Sequence, residues 1–152
     1  MTMQSSILIG LVATLCHSAH GLVFRDNIKQ VVKGNSLTLL HGVEDATSVR
    51  FGNASDTASQ GWKFDTGGLP DDQAAVTPLD SSDYLTCFVG TKCTLSPHGS
   101  PQAYRISRVD EEKPIFTLQD LATSLYVSRT VDLYLELSGV QDDSIKFTFE
   151  KV

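Results

Sequence analysis

The chain has 152 residues, with 12 Lys and Arg against 18 Asp and Glu, and a formal net charge of −6. This length suits one domain whose core hides roughly two-thirds of the unfolded surface, and the 41% hydrophobic and 20% charged fractions exclude a disordered chain. The acidic balance argues against nucleic acid and anionic membrane as partners, because both repel negative charge.

Residues 1–21 carry no Lys, Arg, Asp or Glu, and Ile7 to Leu15 is a predominantly apolar run of nine. The run has the length of a signal-peptide core and is too short to span a bilayer. Small residues follow it, so cleavage is expected after Ser18 or Gly21. Residues 1–21 are therefore read as a signal peptide and residues 22–152 as a single secreted, extracellular domain. No comparable apolar run follows, so no membrane insertion is expected. Cleavage removes Cys16 and leaves Cys87, Cys93, His41 and His98.

The rest of the chain reads as short strands separated by polar turns. Val23 to Val32, Val76 to Leu85 and Phe116 to Leu125 open three units with the same spacing of apolar residues. Ser36–Leu40, Lys92–Leu95 and Leu133–Leu137 follow, each ending near a turn with glycine: His41-Gly42, His98-Gly99 and Ser138-Gly139. The stretch Val43–Ser59 reads as a long loop peculiar to the first unit, and Asn53-Ala54-Ser55 within it is a glycosylation sequon. Each unit closes on a strand with alternating apolar residues: Trp62 and Phe64, Tyr104 and Ile106, Phe147 and Phe149. Positions 62, 104 and 147 lie about 43 residues apart. These six side chains are expected in the core, and the tail after Phe147 is expected to pair with the first strand and close a barrel. No segment reads as a long amphipathic helix.

Two cysteines in an exported chain form one disulfide. Cys87 and Cys93 sit symmetrically about Gly90, as across a hairpin. So short a loop gains less than the ~3 kcal/mol expected for a 15-residue loop, so the bridge acts as a local staple.

Three units of about four strands suit a closed all-β structure; an unrelated antiparallel sandwich is the alternative. Gln60-Gly61-Trp62 and Gln102-Ala103-Tyr104 resemble the repeated Gln-x-Trp motif of ricin-B-type lectin domains, with Ile145 replacing Gln in the third unit. The resemblance implies a β-trefoil and a glycan as partner. It also implies, in each competent unit, an Asp near the second strand and an aromatic at the end of the third. The Asp positions fall on Val32 or Lys33, Thr86 and Tyr126, so none is acidic. The aromatic position finds only His41. An unconventional sugar site is possible in unit three, from Tyr134 with Asp132 or Tyr126 with Asp142. The bland reading of all four is ordinary strand and turn residues.

No hydrolase motif, metal-ligand set or cofactor motif is present, and the acidic pairs sit among turn signals. The sequence thus points to a secreted, non-enzymatic, lectin-like glycan-binding protein. The alternative is a protease inhibitor or another effector that binds an extracellular protein. Residues 65–72 and 79–83 are its candidate loops; neither carries Lys or Arg.

Overall fold

A computed structural model describes residues 23–54, 60–97 and 101–152. The expected signal peptide, His98 and Ser55 of the sequon lie outside the described residues. The first unit comprises β1 (Val23–Val32), β2 (Asn35–His41), β3 (Val49–Gly52) and β4 (Trp62–Asp65). The second comprises β5 (Gln73–Pro78), β6 (Tyr84–Thr86), β7 (Thr94–Ser96) and β8 (Tyr104–Arg108). The third comprises β9 (Ile115–Asp120), β10 (Tyr126–Arg129), β11 (Leu135–Ser138) and β12 (Phe147–Lys151).

The outer strands of each unit close into a barrel. Antiparallel pairing runs β1–β4, β4–β5, β5–β8, β8–β9, β9–β12 and back from β12 to β1. No barrel strand is left with a free edge, which protects it from edge-to-edge aggregation. The inner strands form three hairpins, β2–β3, β6–β7 and β10–β11. The registers repeat: Phe149 faces Ile28, Phe64 faces Val76, and Ile106 faces Leu118. This is the β-trefoil the sequence implies.

The alternation that marks these strands in sequence is the alternation of burial. In β4, Trp62 and Phe64 are buried while Lys63 and Asp65 are not. Trp62, Tyr104 and Phe147 form a layer facing the hairpins. The Trp62 indole N–H donates to the Leu39 carbonyl at 3.0 Å, and the Tyr104 hydroxyl donates to the equivalent Leu85 carbonyl at 2.9 Å. Phe147 has no donor and stacks instead on Phe51 of the first hairpin, with ring centroids 6.1 Å apart. Phe64, Ile106 and Phe149 form a second layer toward the other end. Each large apolar side chain removed from water contributes about 1.5–3 kcal/mol.

The structure corrects the reading of the first unit. Val23 and Val32, unlike Val76 and Leu85, lie on one strand: Val32 ends β1, which runs unbroken because its residues pair in turn with β4, β12 and β2. Ser36–Leu40 belongs to the second strand. The third is β3, hidden inside the stretch read as one long loop. Leu39, Leu85 and Val127 face Phe51, Leu95 and Leu137 across the three hairpins, which fixes the equivalences. In that frame His41 matches Cys87 and Arg129, not His98.

The Cys87–Cys93 disulfide is present, with its Cα atoms 4.3 Å apart. It bridges the second hairpin just beyond β6. Thr91 N–H donates to the Phe88 carbonyl at 3.3 Å. Gly90 turns the chain with φ +86°, in the left-handed region that a side chain disfavours.

Candidate functional site

The motif glutamine of the second unit is a structural clamp. The Gln102 amide N–H donates to the Cys87 carbonyl at 2.9 Å and to Asp120 Oδ1 at 3.0 Å. Its carbonyl oxygen accepts from the Cys87 N–H at 2.7 Å and lies 2.9 Å from the Tyr104 hydroxyl, whose one proton is shared between it and the Leu85 carbonyl. Gln102 thus ties the stapled loop to β8 and β9. Burial alone would raise the Asp120 pKa. Hydrogen bonds from Gln102, Thr123 and the backbone outweigh it and hold the carboxyl below its ordinary value.

His41 ends β2 and is only 7% exposed. Its Nε2–H donates to the Gly61 carbonyl at 3.0 Å, and its ring packs edge-on against Trp62 at 4.9 Å. Burial keeps its pKa below the ordinary value, against the Gly61 hydrogen bond and Asp80. The imidazole faces are covered, so His41 offers a sugar no stacking surface. Repeat registration against β3 moves it away from the aromatic position, which falls on Phe51 or Gly52 instead.

Tyr134 sits where the three hairpins meet. Its hydroxyl donates to the Glu44 carboxylate at 2.9 Å. Lys92 Nζ lies 4.1 Å and Arg50 Cζ 5.1 Å from its ring centroid. The Glu44 hydrogen bond, with burial behind it, raises the phenol pKa. Asp132 is exposed in the preceding turn, and its carbonyl accepts from Arg50 Nε at 3.3 Å. The pair is therefore engaged in joining hairpins. Asp142 is also committed: its carboxylate accepts from the Ser144 N–H at 2.9 Å and from the Ser144 hydroxyl, capping a short 3-10 turn. Those bonds lower its pKa, the side-chain bond foremost.

Tyr126 differs. It starts β10, is half-buried, and lines a cleft of about 440 Å³ between β8, β9 and the β11–β12 connection. Gln141, Ser107 and Thr117 supply polar groups, Arg108 supplies positive charge, and Lys146 adds a charge that is paired with Asp143 at 3.3 Å. Arg108 is fixed by donating from Nε to the Asp110 carbonyl at 2.7 Å and by lying over the Phe116 ring at 5.5 Å. Among the described residues, neither the Tyr126 hydroxyl nor the Gln141 amide has a hydrogen-bond partner. The cleft lining includes no carboxylate and no histidine. It therefore offers an aromatic ring and a free amide, but no acid–base pair.

The sequence pairs Tyr126 with Asp142; the structure places Tyr126 with Gln141 instead. Nothing in the sequence singles out Gln141. Asn53, of the sequon, is exposed just after β3.

No protein-family model matches the sequence. No curated protein matches it significantly either. Solved structures do. SeviL bound to asialo-GM1 saccharide superposes with a TM-score of 0.68 at 15% identity, over 86% of this chain and 99% of that one. The Macrolepiota procera ricin B-like lectin in complex with lactose gives 0.67 at 16% identity, over 90% and 99%. The designed threefold-symmetric protein ThreeFoil gives 0.67 at 12% identity, over 84% and 99%. The closed barrel, the three hairpins and these superpositions establish the β-trefoil fold.

Proposed function

We propose that the protein is an exported, non-enzymatic glycan-binding β-trefoil, with the Tyr126 cleft as its sugar site. The observation that carries the site is the free Tyr126 hydroxyl beside the free Gln141 amide in one half-enclosed cleft. An aromatic face takes the C–H surface of a sugar ring, and an amide both donates to and accepts from adjacent hydroxyls. Arg108, which has no carboxylate partner, favours a sugar bearing carboxylate or sulfate. The lectin neighbours support the general reading; the residues argue for the particular site. Export rests on the apolar run Ile7–Leu15 and fits a disulfide-stapled domain. Asn53, exposed within its sequon, is the expected glycosylation site.

A glycan array carrying neutral and acidic sugars tests this. Binding is expected, with acidic glycans retained best. Tyr126→Ala and Gln141→Ala should each weaken it at least about tenfold, equivalent to ~1.4 kcal/mol. An array without retained glycans, or Tyr126→Ala binding as the parent does, would sink the proposal.

A further inference from the structure

The end of the barrel opposite the hairpins is open, and it encloses a cavity of about 510 Å³. That volume lies in the range of small-molecule sites, which favour the mouths of barrels. The floor is aromatic. Phe149 packs at 4.8 Å against Phe64 and at 4.6 Å against Phe116, centroid to centroid. Phe24 and Ile106 extend this apolar surface, and Val23, 43% exposed, stands at the rim.

One group in the lining does not belong to an apolar cavity. Asp26 of β1 is 91% hidden, being only 9% exposed, yet its carboxylate accepts no hydrogen bond among the described residues. Its compensation is the field of Lys151, its register partner on β12. Burial raises its pKa and Lys151 opposes the shift. The other rim carboxylate, Glu150, already accepts from Lys29 at 3.0 Å. The cavity thus presents, at the edge of an aromatic floor, a carboxylate that has no hydrogen-bond partner in the protein and opens onto the cavity, with the charges around it balanced. A ligand that adds a donor without adding charge satisfies Asp26 and leaves the Lys151 attraction intact.

We propose that the barrel mouth binds a small neutral apolar alcohol or phenol, its ring on the Phe64–Phe149–Phe116 floor and its hydroxyl donating to Asp26. This site is separate from the Tyr126 cleft and does not depend on the glycan reading.

The test uses three probes of one shape: 1-naphthol, naphthalene and 1-naphthoate, titrated against the protein by calorimetry or fluorescence at neutral pH. Saturable 1:1 binding of 1-naphthol is expected, at least tenfold tighter than naphthalene and tighter still than the anionic naphthoate. Val23→Trp, at an exposed position, should block the mouth and abolish binding without moving the unfolding temperature. Asp26→Leu should bring naphthol and naphthalene to equal affinity. Absence of saturable naphthol binding overturns the proposal, as does equal affinity for naphthalene in the parent or binding untouched by Val23→Trp. A concentration-dependent dimer that Val23→Trp dissolves would assign the mouth to a second copy and likewise overturn it.

Discussion

The two ends of the barrel are built from the same repeated strands and end differently. At the hairpin end, the backbones of different units are tied directly to one another. Phe51 N–H donates to the Leu133 carbonyl, Cys93 N–H to Leu135 and Leu95 N–H to Thr47, so the hairpins are laced by backbone hydrogen bonds of 2.7–2.9 Å. At the mouth, side chains meet across a void, and Asp26 is left with a distant charge as its compensation. The closed end carries specificity of fold, and the open end carries space. Function in a trefoil is therefore sought at positions the closure does not consume.

The sharpest test of this contrast is truncation in the two aromatic layers. Trp62→Ala removes a side chain with 0% exposure and orphans the Leu39 carbonyl. It should cost about 3–5 kcal/mol or more. Phe149→Ala, beside an existing cavity that needs less new void, should cost no more than about 3 kcal/mol. Urea denaturation measures both; equal losses would mean that the mouth is packed as tightly as the hairpin side.

How much of this was legible follows from repetition. Period-2 alternation over Trp62–Phe64, Tyr104–Ile106 and Phe147–Phe149 is strong local patterning, and its recurrence revealed the barrel. β3 was missed because only Val49 and Phe51 point inward in a four-residue strand set between polar segments. A register error followed: without β3, His41 was counted one strand too far along. The disulfide was visible because its loop is symmetrical about Gly90. The Tyr126 cleft was only half visible. Its ring lies on a strand whose position the repeat predicts. Gln141 comes from a connection without periodicity, and no local rule says which of Gln141 and Asp142 will turn toward the ring. Asp26 gave no signal at all, since an acidic residue near the start of a strand reads as solvated.

The next contrast is electrostatic, and its sign differs between regions. Asp26 has a raised pKa, chiefly from burial, so the folded state keeps its proton to higher pH than the unfolded chain does. Its effect is a loss of stability as pH rises from the ordinary value of 3.8 through the raised one. Asp120, held below 3.8 by its hydrogen bonds despite burial, acts in the opposite sense. It stabilises the fold above 3.8, and that contribution is lost as pH falls through the depressed value. Asp26→Asn should therefore raise stability at neutral pH and flatten the profile just above 3.8. Asp120→Ala should lower stability at neutral pH and flatten the profile below 3.8. Denaturation midpoints across the acid range separate the two windows. A destabilised Asp26→Asn at neutral pH would show that the Lys151 attraction exceeds the burial penalty.

The smallest effect is expected where the hairpin end looks busiest. Tyr134 joins Glu44, Arg50 and Lys92, but these groups are solvent-exposed or partly so, and the Arg50–Glu44 pair is 3.8 Å apart with both side chains over 40% exposed. Exposed ion pairs and hydrogen bonds contribute about 0–1 kcal/mol, because water competes for every partner. Tyr134→Phe keeps the ring under both cations and removes only the Glu44 bond. Its stability should stay within about 0.5 kcal/mol of the parent, and its glycan binding should not change. A larger stability loss would make the Glu44 bond a structural tie between the first and third hairpins. A loss of sugar binding at constant stability would move the glycan site from the Tyr126 cleft to the junction of the hairpins, on residues the fold already uses to close itself.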